Sequence, residues 1–351
     1  MKITRACIKN FKALEMLDER FVGQGSETPR PVTLVLGDNS SGKTTLLQAI
    51  ALTLSLATRD TEEPMKFEWP GFLAERVGSL GSSRVELVVT FDPDELTATR
   101  TLFDRWARRV LPEKRAAIAP PELHEMVSLV YENGALSSPQ GEGAISQFLG
   151  RYFIRYLAQT NPSVKSFYSQ IGGVYWFDQQ RNLSTIRRGP KNGVEGLRSF
   201  LVEWYAHHKS ERVTEESDYL QRLEELFGKF FPGARFVGTE LRTGDVTSGE
   251  QDSYFLIERN GRVYDLAEMS SGEQAVFPLL FEFILKKIAR SIVLIDELEL
   301  HLHPPQQQRL MTALRRMGPD CQFIVTSHSP YLEQITPDED EVRLEGGQRC
   351  L

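Results

Sequence analysis

One octapeptide near the start of the chain constrains the fold more than any other feature. The segment Gly37–Thr44 reads Gly-Asp-Asn-Ser-Ser-Gly-Lys-Thr and fits the pattern G-x-x-x-x-G-K-[ST] at every fixed position. The preceding Pro31–Leu36 is mostly apolar, as in a buried strand, and Lys43–Leu56 carries leucine and isoleucine at helical spacing. The pattern therefore predicts a strand, a tight phosphate-binding loop and a helix, in that order.

The residue types of this loop suit a nucleoside triphosphate. Small residues let the backbone curl, so that successive N–H groups point at phosphate oxygens, and the following helix adds the positive end of its dipole. Lys43 is placed to neutralise the β- and γ-phosphates, and the Thr44 hydroxyl is suited to Mg²⁺. The sequence therefore predicts ATP contacts from the loop and the first helical turn, at Asn39, Ser40, Ser41, Gly42, Lys43, Thr44 and Thr45.

A second candidate region lies far along the chain. The apolar run Ile292–Ile295 ends in two carboxylates, Asp296 and Glu297. A strand that is buried on both faces is apolar throughout, and ligands bind where parallel strands emerge at their carboxyl ends. We expect Asp296 to hold Mg²⁺ and Glu297 to be the base that activates or orients the attacking water.

The composition is that of an ordinary globular protein of 351 residues, with a net charge of −7. This charge argues against a wholly basic surface that coats nucleic acid, but it leaves room for a local basic patch. The three cysteines, Cys7, Cys321 and Cys350, show neither a disulfide framework nor zinc-ligand spacing. Because the chain has no long apolar run and no signal peptide, we expect a cytoplasmic protein that does not enter a membrane.

The order of predicted strands and helices indicates a mixed α/β fold. Strands and helices alternate near the C-terminus, as in a mostly parallel sheet: helix Glu273–Ala289, strand Ser291–Ile295, helix Pro305–Met317 and strand Gln322–Thr326. Earlier strands predict an antiparallel sheet beside it: Ile3–Phe11, Arg84–Phe91 and Met126–Tyr131. The segment Gly193–Phe231 is rich in helical patterns, and Asn260-Gly261 is a hairpin turn signal.

Further segments give the chain a family resemblance. Met269–Gln274 (Met-Ser-Ser-Gly-Glu-Gln) resembles the ABC signature L-S-G-G-Q, although Met269 and Ser271 replace its leucine and first glycine. Ile295–Pro304 looks like the corresponding region of OLD-type ABC ATPases, and Thr326–Pro330 resembles their H-loop. The opening Ile8–Lys12 is similar to the first strand of SMC-like and RecF-like proteins. These motifs cover both ends of the chain, whereas the middle matches no named pattern.

The resemblance implies a P-loop fold of the ABC-ATPase head type. Its core would be a mixed sheet with an antiparallel β subdomain and a helical insertion. We expect one head over residues 1–351, with an N-terminal lobe over about 1–135, a helical insertion over about 193–232 and a C-terminal lobe over about 250–345. The chain ends soon after His328, which leads us to expect no fused nuclease.

The resemblance also implies an active site shared between two copies. In the family, two heads enclose two ATP molecules, each between the P-loop of one subunit and the signature of the other. On this chain Ser270, Gly272 and Glu273 would meet the nucleotide of the partner subunit, and His328 would sense the γ-phosphate. A glutamine after the predicted strand Gly173–Phe177 would ligate Mg²⁺, and both Gln179 and Gln180 qualify.

The function that the resemblance implies is an ATP-hydrolysing, ATP-gated dimer or oligomer switch. Compact ATPases of this kind resemble those of the anti-phage modules called Septu, PARIS and retron, in which a separate nuclease or toxin is the effector. The alternative is a DNA-repair or recombination clamp of the RecF or SMC type. A transporter ATPase fits less well, because transport subunits carry the signature in a compact helical subdomain of a different layout. The segment His301–Pro304 also argues against a transporter.

Several motifs have a plainer interpretation that stays open here. The segment Ser270–Glu273 also fits a simple helix N-cap, and His301 and His303 could be metal ligands. Two basic clusters are candidate contacts for DNA or RNA, or else solvated surface, and Trp106 lies within the first, where it could stack on a base. The clusters are Arg105, Arg108, Arg109, Lys114 and Arg115, and Arg187, Arg188 and Lys191.

Overall fold

A computed structural model describes residues 1–12, 14–79, 81–179, 193–210, 214, 217–241 and 253–344. The chain divides into two compact units. The first unit takes in Met1–Asp178, Ile288–Leu298 and the chain from Ala313 onward, and the second takes in Gln179–Lys287 and Glu299–Thr312. Within the described residues, no helix is both long and apolar enough to cross a membrane.

The regular elements follow the predicted alternation. The strands are β1 (Lys2–Phe11), β2 (Leu14–Arg20), β3 (Val32–Gly37), β4 (Arg84–Thr90), β5 (Met126–Glu132), β6 (Ala135–Ser137), β7 (Val174–Phe177), β8 (Arg235–Leu241), β9 (Ser253–Arg259), β10 (Arg262–Asp265), β11 (Ile292–Ile295), β12 (Gln322–Thr326) and β13 (Glu341–Leu344). The helices are α1 (Lys43–Ala57), α2 (Pro93–Ala107), α3 (Pro112–Ala116), α4 (Glu142–Ser146), α5 (Gly150–Ala158), α6 (Arg198–His208), α7 (Tyr219–Phe230), α8 (Ser271–Leu285), α9 (Pro304–Met317) and α10 (Pro330–Ile335).

A parallel sheet forms the centre of the first unit. Its order is β13-β3-β12-β11-β7, and all neighbouring pairs are parallel. Because carboxyl ends of parallel strands lie at one edge, this edge brings together the loop after β3, the acidic pair after β11 and the H-loop after β12. The predicted parallel arrangement at the C-terminus is confirmed, and β7 and β13 complete the sheet.

An antiparallel sheet of order β2-β1-β4-β5-β6 packs in the same unit, with α1 buried along nearly its whole length. Strands β5 and β6 are joined by a turn at Asn133-Gly134, where both residues have positive φ, 47° and 91°. Gln322 of β12 joins the two sheets, since its buried amide donates to the Ile3 oxygen at 2.9 Å and accepts from the Ile3 nitrogen at 2.7 Å.

Helices α2 and α5 share a separate aromatic core in the first unit. Trp106 of α2 lies 5.3 Å from Phe153 of α5 between ring centroids and has no exposed surface. The suggestion that Trp106 stacks on a base is therefore wrong, because its apolar ring faces the core rather than the solvent.

The second unit packs helices α6, α7 and α8 with the antiparallel sheet β10-β9-β8. The hairpin at Asn260-Gly261 is confirmed, with φ of 53° and 74°. Helix α8 ends at Leu285 rather than at the predicted Ala289, because Lys287 adopts a left-handed φ of 48° that a helix cannot continue.

Candidate nucleotide-binding site

Lys43 is the buried cation of the phosphate loop, in the first unit. The residue is 5% exposed, and its ammonium donates hydrogen bonds to the backbone oxygens of Gly37 and Asp38 at 2.7 and 2.9 Å. Its Nζ also lies 3.4 Å from Nδ1 of His328. An anionic phosphate oxygen is a stronger acceptor than a neutral carbonyl, so Lys43 is held where a phosphate can take over these hydrogen bonds.

Two glycines give the loop its tight curl. Gly37 has φ of 152°, and a Cβ there would lie 2.6 Å from both the Ser41 hydroxyl oxygen and the Leu344 carbonyl oxygen. Gly42 has φ of 95°, and its Cβ would lie 2.5 Å from a methyl carbon of Leu14. Gly37 therefore requires glycine on grounds of conformation and of space, and Gly42 requires it on grounds of conformation.

The hydroxyl of Ser41 tests whether the loop fits a phosphate. Ser41 is 5% exposed, and its oxygen has no hydrogen-bond partner within the described part of the chain. A buried polar atom without a partner is unfavourable, and a phosphate oxygen would accept its hydrogen bond. Together with Lys43, this hydroxyl makes the loop residues chemically suited to a triphosphate.

A network of hydrogen bonds fixes Asp296 at the end of β11. Asp296 is wholly buried and accepts hydrogen bonds from the hydroxyl groups of Thr44, at 2.9 Å, and Thr326, at 2.7 Å. The Thr326 oxygen in turn accepts a hydrogen bond from the backbone nitrogen of Glu297 at 2.8 Å. Thr44 and Asp296, predicted from opposite ends of the sequence as Mg²⁺ ligands, are thus in direct contact.

This pair fits Mg²⁺ by its chemistry. Mg²⁺ is typically bound in proteins by one or two side-chain oxygens, with phosphate and water oxygens filling its other positions. Thr326 begins the segment that resembles the H-loop, but the resemblance assigns no role to its side chain. The one sequence feature that could have indicated this role is the position of Thr326 at the end of the strand next to β11. From there its hydroxyl contacts the Asp296 carboxyl and the Glu297 backbone nitrogen.

Glu297 and His328 lie at the same edge of the sheet. Glu297 is half-buried and has a left-handed φ of 49°, which its hydrogen bond to Thr326 helps to maintain. Such a conformation is uncommon for a residue other than glycine, and here it occurs directly after the buried Asp296. His328 is exposed beside Lys43, so the predicted base and the predicted γ-phosphate sensor adjoin the phosphate loop.

The candidate glutamines follow β7, which pairs with β11 so that Phe177 faces Ile295. Gln179 is exposed, two residues beyond the end of the strand. Gln180 lies outside the described residues, as do Arg187, Arg188 and Lys191 of the second basic cluster. The choice between the two glutamines therefore stays open.

The signature segment, Met269–Gln274, lies in the second unit at the start of α8. Ser270 is exposed and is the N-cap residue of this helix, while Glu273 closes a capping box with it. The helix-cap interpretation is thus confirmed, and it is compatible with nucleotide contact, because the cap places the serine at the positive end of the helix dipole. Gly272 is buried, and a Cβ there would lie 2.9 Å from Oε1 of Gln306.

Glu273 is turned inward and supports the serine. It is 3% exposed and accepts hydrogen bonds from the backbone and hydroxyl of Ser270 at 2.8 and 2.7 Å, from Tyr264 at 2.8 Å and from Arg259 at 3.0 Å. Burial by itself would raise the pKa of Glu273, but these donors lower it below its ordinary value. Burial and the neighbouring carboxylate raise the pKa of the Tyr264 hydroxyl.

A second buried network precedes the signature segment. Arg198 of α6 donates to both carboxylate oxygens of Asp265, at 2.6 and 2.7 Å. Asp265 also accepts from the backbone nitrogens of Phe255 and Ala267 and forms a capping box with Glu268. Because two capping boxes follow each other in the chain, the backbone from Asp265 to Ser270 is fixed at both ends.

Sequence comparisons agree with these motifs. The family model described as "AAA domain, putative AbiEii toxin, Type IV TA system" matches residues 176–332. The chain is 27% identical over 171 residues to "Retron Ec83 probable ATPase" of Escherichia coli, a match that covers 45% of this chain and 28% of that protein. It is 25% identical over 153 residues to "Septu protein PtuA" of Bacillus thuringiensis, covering 40% of this chain and 36% of that protein. The matched part thus spans only about a third of these relatives.

Structural comparison confirms the fold class. The SMC head bound to the C-winged helix domain of ScpA superposes with a TM-score of 0.55 at 15% identity, over 95% of this chain and 91% of that chain. At this identity the likeness shows the fold alone. With the retron and Septu relatives, it confirms the resemblance to SMC-like ATPases associated with anti-phage defence.

Thr326→Val tests the network around Asp296. The substitution keeps the shape of the side chain but removes the hydroxyl that holds Asp296 and Glu297, so we expect ATP hydrolysis or its Mg²⁺ affinity to fall by about 10–100-fold. The measurement is the hydrolysis rate as a function of Mg²⁺ concentration. Thr33→Val is the matched control, because Thr33 is also wholly buried but its hydroxyl has no partner among the described residues. Equal rates in both variants would contradict the role of Thr326.

Glu273→Gln tests the support of the signature serine. The amide replaces a carboxylate oxygen with a donor that faces the Ser270 N–H, so we expect the free energy of unfolding at pH 7 to fall by about 1–3 kcal/mol. Because the pKa of Glu273 is lowered on folding, its stabilisation is fully present above the unfolded pKa of about 4.3 and is lost as pH falls through the lower folded value.

Denaturant unfolding of wild type and variant between pH 7 and pH 3 makes this measurement. The difference between them should shrink toward acid, because the wild type loses the stabilisation by its carboxylate as the pH falls below the unfolded pKa. Glu203→Gln is the control in the same unit, because Glu203 is exposed on α6. A difference that stays constant across this range would show that the Glu273 carboxylate is not the stabilising group.

Proposed function

We propose that this protein binds and hydrolyses ATP as one ABC-type head, and that two copies complete each active site. The observation that carries the proposal is the contact of Thr44 with Asp296 beside the buried Lys43. The phosphate loop, the two residues suited to Mg²⁺ and the neighbouring carboxylate of Glu297 thus lie together at one edge of a parallel sheet. The names of the retron relative and of the matching family also support an ATPase.

Each residue of the constellation has a separate task in the proposed reaction. Lys43 exchanges the Gly37 and Asp38 carbonyls for phosphate oxygens, while Thr44 and Asp296 hold Mg²⁺, which neutralises the phosphate charge when bound. Glu297 accepts a proton from the attacking water or orients it, and the buried Asp296 next to it remains a ligand. His328, exposed beside Lys43, donates a hydrogen bond to the γ-phosphate.

The signature segment is proposed to act on the nucleotide of a second copy. Ser270 is exposed at the N-terminus of a helix of 15 residues, and its hydroxyl donates to Glu273. To contact a γ-phosphate, the serine must redirect this hydrogen from Glu273 to the phosphate. We infer that Glu273 holds the serine ready and acts as a positioning residue rather than as an ATP contact, which revises the direct role expected for it.

The biological role proposed is that of a sensor or regulatory ATPase in anti-phage defence, with a separate effector. Two relatives support this role, because their names assign them to retron and Septu systems. The description of the matching family model also names a putative toxin. Closure of two heads on ATP would expose or hide a surface that the effector, a nuclease or toxin, recognises. If hydrolysis is slow, ATP acts mainly by holding two copies together, and the population of the closed state matters more than the turnover rate.

Glu297→Gln separates binding from hydrolysis. Losing a positioned general base lowers rates by about 10²–10⁴-fold, so we expect the variant to bind ATP, to hydrolyse it at a strongly reduced rate and to gain mass by whole subunits. The measurements are solution mass with and without ATP, and phosphate release. Glu339→Gln is the control, because Glu339 is exposed in the first unit. Normal hydrolysis by the Glu297 variant would show that this assignment of the base is wrong.

The same mass measurement on protein purified with the products of its neighbouring genes tests the separate effector. We expect a complex whose mass is not a multiple of this chain and whose abundance changes with ATP. Multiples of the chain alone, with or without ATP, would contradict the effector while leaving the ATPase intact.

A further inference from the structure

Five basic side chains lie near the ends of two consecutive helices of the first unit. They occupy the last turn of α2, the residues just after it and the last turn of α3, and every one of them is exposed. We refer to them as the α2–α3 basic surface: Arg105, Arg108, Arg109, Lys114 and Arg115. The active site described above uses none of them.

Within the described part of the chain, none of these five cations forms an ion pair with a carboxylate, and the carboxylates of Asp104 and Asp60 pair with Arg100 and Arg155 instead. Neutral groups hold three of them instead. The Arg105 guanidinium lies 5.2 Å from the centre of the Phe167 ring, and the Lys114 ammonium lies 4.8 Å from that of Tyr156. Arg109 donates to the Thr160 hydroxyl at 2.5 Å. These three side chains are therefore held by neutral groups, and their positive charge remains available to an external anion.

Arg105, Arg108 and Arg109 line one hollow of about 210 Å³. Asn161 contributes a polar side chain to it, and Leu157 and Val164 complete the lining. Guanidinium groups are planar, present forked donors and match the oxygens of a phosphate in pairs. The hollow thus combines several phosphate-matching donors with no carboxylate among the described residues of its lining.

Helix dipoles account for only part of this charge. A helix C-terminus carries about half a negative elementary charge, so the ends of α2 and α3 together offset about one of the five cations. The whole chain, in contrast, has a net charge of −7. Two acidic residues lie among the five cations, Glu113 in α3 and Asp104 in α2, and Asp104 pairs with Arg100. The cations still outnumber them, and such a local excess of positive charge on an acidic protein is typical of a surface that binds a polyanion.

We propose that the α2–α3 basic surface binds the phosphate backbone of a nucleic acid without reading its sequence. Arginine dominates the surface, and the hollow suits phosphate groups, so a backbone fits better than the single carboxylates of an acidic protein. Trp106 does not stack on a base here, because it is wholly buried, and Phe167 and Tyr156 already face cations. Affinity therefore comes from charge neutralisation and depends steeply on salt.

The test is fluorescence anisotropy of the full chain with a labelled duplex of random sequence, about three helical turns long. If each of the five cations neutralises one phosphate, the slope of log affinity against log salt is about −4.5, and affinity falls about 500-fold between roughly 50 and 200 mM salt.

The double variant Arg108→Gln with Arg115→Gln removes two of the five cations. These two were chosen because the other three contact an aromatic ring or the Thr160 hydroxyl, and those contacts stay intact. The slope of this variant should be about −2.7, with a fall of about 40-fold.

The control is Arg262→Gln with Arg316→Gln, which removes the same charge from exposed positions outside the surface. We expect the control to keep the wild-type slope, a second duplex of different sequence to bind equally and all three proteins to unfold at the same temperature.

Equal weakening of duplex binding in both double variants would overturn the proposal, since the change in net charge alone would explain it. So would absence of binding at the lowest salt concentration, which would instead favour an acidic protein partner, or a loss of thermal stability without a change in slope.

Discussion

The buried carboxylate of Asp296 is the constraint on which the nucleotide site depends. A polar group with no exposed surface is stable only if hydrogen bonds replace its lost water. Thr44 and Thr326 provide them, and they come from the helix after the phosphate loop and from the strand next to β11. The requirement to satisfy one buried side chain therefore ties three separate parts of the sequence together, and Glu297 follows directly beside them.

The signature segment follows the same physical rule in the second unit. Glu273 and Asp265 are buried carboxylates. Each accepts hydrogen bonds from backbone nitrogens and from an arginine. In both cases the donors lower the pKa despite burial, so the groups are charged at neutral pH. These networks hold the exposed Ser270 at a helix end, which is the arrangement that the proposed contact with a second copy requires.

Patterns with strong local signals can be predicted from sequence. The phosphate loop, the buried strands β11 and β12, and the Asn-Gly hairpins are all recognisable, because glycine positions and apolar runs are local properties. Strands β2, β8 and β13 escape sequence reasoning, since they are exposed on one side or very short and lack an apolar run. The role of Thr326 arises from contacts with residues about thirty positions away in the chain, and that of Tyr264 from a contact with Glu273 that no motif marks. The burial of Trp106 is not apparent from the sequence, because basic residues surround it.

Mixing two inactive variants tests most directly whether the active site is shared. Lys43→Ala removes the phosphate-loop cation, and Ser270→Arg blocks the signature, so each variant alone should be inactive. In a mixed dimer, one site combines an intact loop with an intact signature, and an equimolar mixture should recover about a quarter of wild-type hydrolysis. Recovery to that level is what a composite site predicts. If the mixture stays as inactive as its components although mixed dimers form, each copy hydrolyses ATP on its own, and the central claim fails.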